Sequence, residues 1–244
     1  MGHAMVVGGA RATAPVTGIK AGDLAVGSSV YLMENGVAVE YLVVNQGIPS
    51  GSSLYDASCN GTWLLRKDIY ESRQWHSSNV NDYANSTIHS YLNSTFLALF
   101  DANIQSAIKQ VKLPYRAGYG YGTTVTSGAN GLPAKIFLLS ASEVSFSFGY
   151  MPSNEGAELS YFAGCADNAA DSKRIANLNG TAIGWWLRSP FCNSSFGSAY
   201  ASDVHTDGIW NGNYCHDSRG IRPALVLPSN ALFDENTLLL KGVA

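Results

Sequence analysis

Three features of this 244-residue sequence predict an α+β fold with a small twisted antiparallel sheet, two helices and long ordered loops. Two β-rich runs flank an Asn-Gly pair near the start. Two stretches of helical periodicity follow between residues 86 and 113. Short apolar runs separated by polar, Gly-rich text then recur to the end.

Val30–Met33 leads through Glu34-Asn35-Gly36 into Val37–Val44. Asn-Gly between apolar runs is a strong hairpin signal, because both residues tolerate positive φ. Trp63–Arg66 reads as another short strand. Ile88, Tyr91, Leu92, Phe96, Leu99 and Phe100 then recur at three- and four-residue spacing, which makes one apolar helix face, with Ser86 or Thr87 as N-cap. Asp101 opens a second helix with Ile104, Ala107, Ile108 and Val111 on one side, and Pro114 closes it.

Tyr115 to Pro133 reads as a long loop. Its Gly118-Tyr-Gly-Tyr-Gly122 segment has the glycines of a phosphate loop but does not join a strand to a helix, so it carries no phosphate-site prediction. Lys135–Leu139 is a buried strand, Ser140–Val144 a helical turn and Ala169–Ala176 a short helix. Gly184–Pro190 is the next strand and Gly220–Leu227 the last core strand. No internal repeat or linker divides the chain. Residues 21–244 are therefore expected to form one domain, and residues 1–20 a flexible arm suited to virion attachment or self-association. Met1–Ala4 ahead of Met5 reads as an expression remnant.

Charged residues make up only 14% of the chain, against the usual quarter. Ser, Asn, Gly, Thr and Tyr fill the gap, the composition of adaptable binding faces. A net charge of −3 without a basic cluster excludes the electrostatic footprint of nucleic-acid binding. No apolar run reaches eighteen residues, so no membrane insertion is expected. The four cysteines show neither CxxC pairing nor metal-ligand spacing, and no cofactor is predicted.

The informative stretch runs from Phe191 to Asp217. Its 27 residues contain no Lys, Arg, Glu, Gln, Met or Leu. Randomising the adenines of Asn codons that end in a pyrimidine makes Asn, Ser, Tyr, Asp, His, Phe, Cys, Gly, Ala, Ile and Val accessible. Residues that need a purine in the third position stay excluded. Trp210 is then either template-fixed or an argument against that origin. Physically, the tract reads as surface rather than core, with aromatic anchors among small hydrogen-bonding groups. The alternative is an Asn/Ser-rich loop whose aromatics tuck inward.

WWLRSP (Trp185–Pro190), a variable polar tract and GIRPAL (Gly220–Leu225) together resemble the C-terminal signature of C-type-lectin-like domains related to the formylglycine-generating enzyme fold. More narrowly, the chain is similar to a domain abundant in gut bacteria and their phages, several members of which are targets of diversity-generating retroelements. The likeness covers roughly residues 20–228. It implies a lectin-like fold in which Trp185, Trp186, Arg188 and Arg222 are scaffold. Trp185 and Trp186 would pack in or beside the core, and the arginines would hold loop carbonyls.

The resemblance also implies a variable, ligand-binding set: Phe191, Cys192, Asn193, Ser194, Ser195, Phe196, Tyr200, Ser202, His205, Asp207, Ile209, Trp210, Asn211, Asn213, Tyr214, His216 and Asp217. The partner would be a protein or glycan receptor on a host surface. The protein would be a phage receptor-binding or adhesin component, placed on the virion rather than on or outside a bacterial cell. No catalytic residue is assigned. Two alternatives stay open: a carbohydrate-binding lectin of fixed specificity, and a formylglycine-generating-enzyme-like oxidase. No cysteine pair matching the oxidase is recognisable, and Cys192 and Cys215 both fall inside the tract. His205, His216, Asp203, Asp207 and Asp217 match no helix-borne ligand spacing.

Overall fold

The computed structural model describes residues 17–118, 124–147, 155–191 and 197–243. Two sheets of five strands each organise it: β1 (Ser29–Glu34), β2 (Val37–Gln46), β3 (Thr62–Arg66), β4 (Glu71–Gln74), β5 (Ile136–Phe137), β6 (Trp185–Pro190), β7 (Tyr200–Val204), β8 (Trp210–Tyr214), β9 (Ser218–Ile221) and β10 (Ala224–Leu227). The central sheet has the order β5-β10-β3-β2-β1 and the second sheet β8-β7-β6-β9-β4. Pairing is antiparallel except between β6 and β9. An α+β architecture of antiparallel sheets with two helices is what the patterning predicts.

The opening hairpin follows from its turn: Asn35 and Gly36 both take positive φ (46° and 78°), so β1 and β2 pair from Glu34–Val37 back to Ser29–Leu42. The central sheet is buried on both faces, which explains the continuous apolar runs of β3 and β10. Leu64 and Leu225 belong to one core cluster with Ile88, Leu92, Phe96 and Phe100. Trp63, Leu65, Ala224 and Val226 belong to a second with Phe137, Trp185 and Leu187.

The helical stripe packs as its spacing dictates. Helix α1 (Thr87–Tyr91) continues into a π turn (Leu92–Phe96) and a 3-10 turn (Leu97–Leu99), with Ser86 as N-cap through His89 N–H. Asn93, on the π turn, donates to Ile136 O at 2.9 Å and accepts from Lys135 N–H at 2.8 Å, tying the helix to β5.

Helix α2 (Ala102–Ala107) is shorter than its periodicity suggests. Val111, expected on that helix, lies instead in a strand, Val111–Leu113, paired with Leu132–Ala134. Buried Val111 and Leu113 flanking exposed Lys112 fit a period of two. The expected loop from Tyr115 to Pro133 also contains a second pairing, Tyr115–Arg116 with Val125–Thr126. Of its Gly-rich motif, residues 119–123 lie outside the described residues. Near 169–176 only a 3-10 turn forms, Ser172–Arg174, capped by Asp171.

The last predicted strand is two strands. β9 belongs to the second sheet and β10 to the central one, and Arg222-Pro223 carries the chain across. Pro223 has no N–H to give a ladder, so pairing must break there. The chain start differs too: Ile19–Lys20, expected in the arm, pairs with Leu232 and Phe233, whereas residues 1–16 lie outside the described residues. Among the described residues no helix is long and apolar enough to cross a membrane.

One ion pair joins the two sheets and their loops. Arg188, in β6, is fully buried and makes two bonds of 2.6 and 2.7 Å with the carboxylate of buried Glu143. Its other donors reach the carbonyls of Pro114, Leu138 and Glu155, so all five N–H groups are used. Glu143 also accepts from Tyr55 Oη and Ser140 N–H. Arg188→Met should cost about 3–5 kcal/mol, because it strands a buried carboxylate. Arg188→Met combined with Glu143→Gln should cost less than the single change; urea unfolding at neutral pH measures both.

Candidate functional site

From Tyr200 to Tyr214 the polar tract folds as a β-hairpin on the edge of the second sheet. β7 and β8 pair in register from Tyr200–Tyr214 to Val204–Trp210, and His205–Ile209 makes the turn. Asp207 Oδ1 accepts from Ile209 N–H, and Gly208 adopts a φ of 85°. A side chain at 208 would also strike Asp171 O at 2.2 Å. Arg174, fully buried, holds this turn through Gly208 O while also donating to the carbonyls of Val144, Ser145, Ala166 and Ala169. The other end is tied by the end of β4 and the segment after it: Gln74 donates to His216 O, His76 N–H to Cys215 O and Asn81 to Tyr200 O.

The hairpin is less superficial than its composition suggests. Ala201, Ser202, Asp203 and Val204 are all buried, because β7 lies between β8 and β6. Small side chains fit there. Ser202 and Phe191, read from the sequence as contact positions, have almost no exposed surface. Cys192, Asn193, Ser194, Ser195 and Phe196 lie outside the described residues.

Residues that keep exposed surface form two zones, on alternate faces of the β7–β8 pair. The first is aromatic. Trp210 stacks on Phe191 with ring centroids 5.1 Å apart, Tyr200 meets Tyr214 at 4.2 Å and Tyr214 stacks on His216 at 5.5 Å. Tyr214 is 42% exposed and His216 is exposed. Asp217 lies beside His216.

The second zone is a polar cleft of about 400 Å³ at the start of β6, between β7 and β8 on one side and β9 and β4 on the other. Asp203, His205, Thr206, Asn211, Ser218, Arg219 and Ser72 line it, with Ile183 and Gly184. Asp203 sits 1% exposed at its base. Its Oδ1 accepts from Asn213 Nδ2 at 3.0 Å, and its Oδ2 faces Arg219 Nε at 3.5 Å. Arg219 donates in turn to Asn213 Oδ1 at 2.6 Å and to Ser218 O at 3.0 Å. A Cβ on Gly184 would come within 3.2 Å of Asp203 Oδ2 and 3.6 Å of Arg219 Cδ. Glycine at 184 therefore keeps this floor open. At the rim His205 Nδ1 meets Asp207 Oδ1 at 3.0 Å, and Ile209 is half-buried behind the turn.

Burial pushes the Asp203 carboxyl up to about 6, with Asn213, Arg219, His205 and Asn211 pulling the other way. The thiols of Cys59 and Cys165 are pushed up to about 11 and that of Cys215 to about 12, in each case by burial first. A thiol in such surroundings is a poor nucleophile at neutral pH. Among the described residues no group of three or more His, Cys, Asp or Glu is placed to hold a metal.

The scaffold residues expected from the flanking motifs are all buried. Trp185 donates to Arg174 O and Trp186 to Arg73 O. Arg222 donates to Arg66 O and lies over the Trp185 ring at 5.1 Å. Sequence reasoning missed Arg219, Ser72, Arg174 and Glu143. Arg219 stands two residues past the tract, which the absence of Arg had delimited. Ser72 and Glu143 are distant in sequence, and no local signal marks them.

A family model described as a domain of unknown function (DUF6273) matches residues 60–229, a span that includes β3 to β10, the tract and the cleft. No curated protein and no solved structure matches the chain.

The folded protein holds the Asp203 proton up to about pH 6, whereas an unfolded chain releases it near 4. Its contribution to stability is therefore fully present below pH 4 and is lost as the pH rises to 6. Asp203→Asn should be more stable relative to the parent at pH 7 than at pH 4, by roughly 2–3 kcal/mol. Thermal melting of both proteins across that range checks the sign.

Proposed function

The chain belongs to the DUF6273 family, and we propose that it is a ligand-binding protein whose polar hairpin, β7–β8 with its flanks, is the recognition surface. The observation that carries this reading is the way the tract is mounted. Its backbone is tied at Tyr200 by buried Asn81, at the turn by buried Arg174, and at Cys215 and His216 by His76 N–H and Gln74, while Tyr214, His205, Asp207, Asn211, Asn213 and His216 retain exposure. A surface held in one conformation loses little entropy on binding, so many side-chain sets can each be useful on it.

The residue usage of the tract and the resemblance to lectin-like variable proteins support a further step. The surface is diversified by a retroelement, and the protein serves a phage or adhesin in following changing host receptors. The lectin-like topology belongs to the same proposal. An oxidase reading gains no support from the high, burial-raised thiols of Cys59, Cys165 and Cys215.

Sequencing the 3′ region of the gene across a natural population tests the proposal. Substitutions should concentrate between Phe191 and Asp217 and at adenines of a neighbouring template repeat. They should favour exposed positions such as Tyr214 and His216 over buried Ser202 and Asp203. A tract as constant as its flanks would sink diversification and leave binding of fixed specificity. For whichever ligand is found, Tyr214→Ala should weaken binding at least tenfold, on the order of the 1–2 kcal/mol or more of an interface aromatic.

A further inference from the structure

The cleft between the hairpin and β9 has the chemistry of one ligand class, and the following rests on the reading of the tract as a binding surface. At about 400 Å³ it falls within the ~300–1,000 Å³ of small-ligand sites. Its charges are matched internally. Arg219 faces buried Asp203 at 3.5 Å, and His205 faces Asp207 at 3.0 Å. An anionic ligand would meet the Asp203 carboxylate, and a cationic one the guanidinium. Neither gains an unpaired countercharge.

Hydrogen-bonding capacity, in contrast, is left over. A guanidinium has five N–H groups. In Arg219 one points at Asp203, one goes to Ser218 O and one to Asn213 Oδ1, which leaves an N–H on each terminal nitrogen. Asn211 contributes the part of its amide not engaged with Asp203, and Ser72, Ser218 and Thr206, the last also meeting His205 Nδ1 at 3.3 Å, contribute hydroxyls that both donate and accept. Half-buried Ile183 supplies an apolar patch, and Gly184 leaves the floor free of a side chain. Donors and acceptors together beside a small apolar surface match a ring of hydroxyl groups with a C–H face.

We propose that this cleft binds a neutral sugar residue of a glycan, with Arg219 and Asn211 contacting its hydroxyls. Asp203 is a positioning residue: it fixes the guanidinium through Asn213 and cancels its charge. The cleft then selects neutral over acidic sugars, because Arg219 offers N–H donors without a free positive charge.

The test uses the full chain on an array of immobilised neutral and sialylated or uronic-acid glycans, followed by calorimetric titration of the best binders. Ser72→Tyr, at an exposed position that lines the cleft, fills it without changing any residue of the tract. Asp203→Asn leaves the guanidinium charge uncompensated. Melting curves confirm that each variant is folded. A neutral glycan should bind the parent, lose at least tenfold in affinity with Ser72→Tyr, and lose its advantage over acidic glycans with Asp203→Asn. That shift in selectivity would not arise from a merely structural role.

Binding unaffected by Ser72→Tyr, a parent preference for acidic glycans, or no neutral glycan bound would each overturn the assignment. Population sequencing reads the tract independently of any ligand. A diversified tract combined with a negative array would therefore remove the sugar cleft and leave the binding function standing.

Discussion

The buried pair of Arg188 and Glu143 is the constraint on which the rest of the architecture hangs. Neither side chain has exposed surface, and between them they take up bonds from β6, from the carbonyls of Pro114, Leu138 and Glu155, from Tyr55 and from Ser140. A buried pair of this kind adds little net stability against an apolar substitute, but removing one member is costly. Its effect is to specify a single arrangement. The loops around residues 114, 140 and 155 each end on a donor or acceptor that has one place to go. Arg174 repeats the device on the other side of β6, joining five carbonyls that include the turn of the hairpin.

That bracing matters because long loops and short strands bury limited apolar area of their own. The central sheet compensates by burying both faces, with the helical stripe on one side and the Trp63, Phe137 and Trp185 cluster on the other. The second sheet carries the polar hairpin at its edge. β7 is sheltered and takes small side chains, while β8 is the outer strand and keeps partial exposure. A recognition surface built on an edge strand needs its backbone held from behind. Asn81, Gln74 and Arg174 do this by bonding backbone carbonyls of the tract, so, Gly208 aside, the holding does not depend on which side chains the tract carries.

The electrostatics of the cleft follow from the same layout. Asp203 is buried because β7 is an inner strand, and burial disfavours its charge. Arg219 reaches it only because β6 begins after Gly184, where no side chain intervenes. A buried carboxylate and a half-exposed guanidinium thus sit at one point where the sheet opens to solvent.

The sequence by itself determined the local chemistry. The Asn35-Gly36 turn, the Ser86 cap and the helical face of Ile88, Leu92 and Phe96 are encoded in neighbouring residues, and neighbours suffice to express them. The unusual composition of the tract was legible for the same reason, whereas the scaffold roles of Trp185, Trp186, Arg188 and Arg222 were implied only by the resemblance of the flanking motifs. Tertiary structure alone decided which tract residues face outward. Phase along a strand depends on register with partners, and the polar tract has no apolar alternation to set it, so the burial of Ser202 and Phe191 was not legible. It also decided that Gly220–Leu227 divides between two sheets at Pro223, and that Ser72, Gly184, Asp203 and Arg219 share a cleft. These last four belong to different strands or strand ends, and only the parallel pairing of β6 with β9 and the antiparallel pairing of β9 with β4 bring them together.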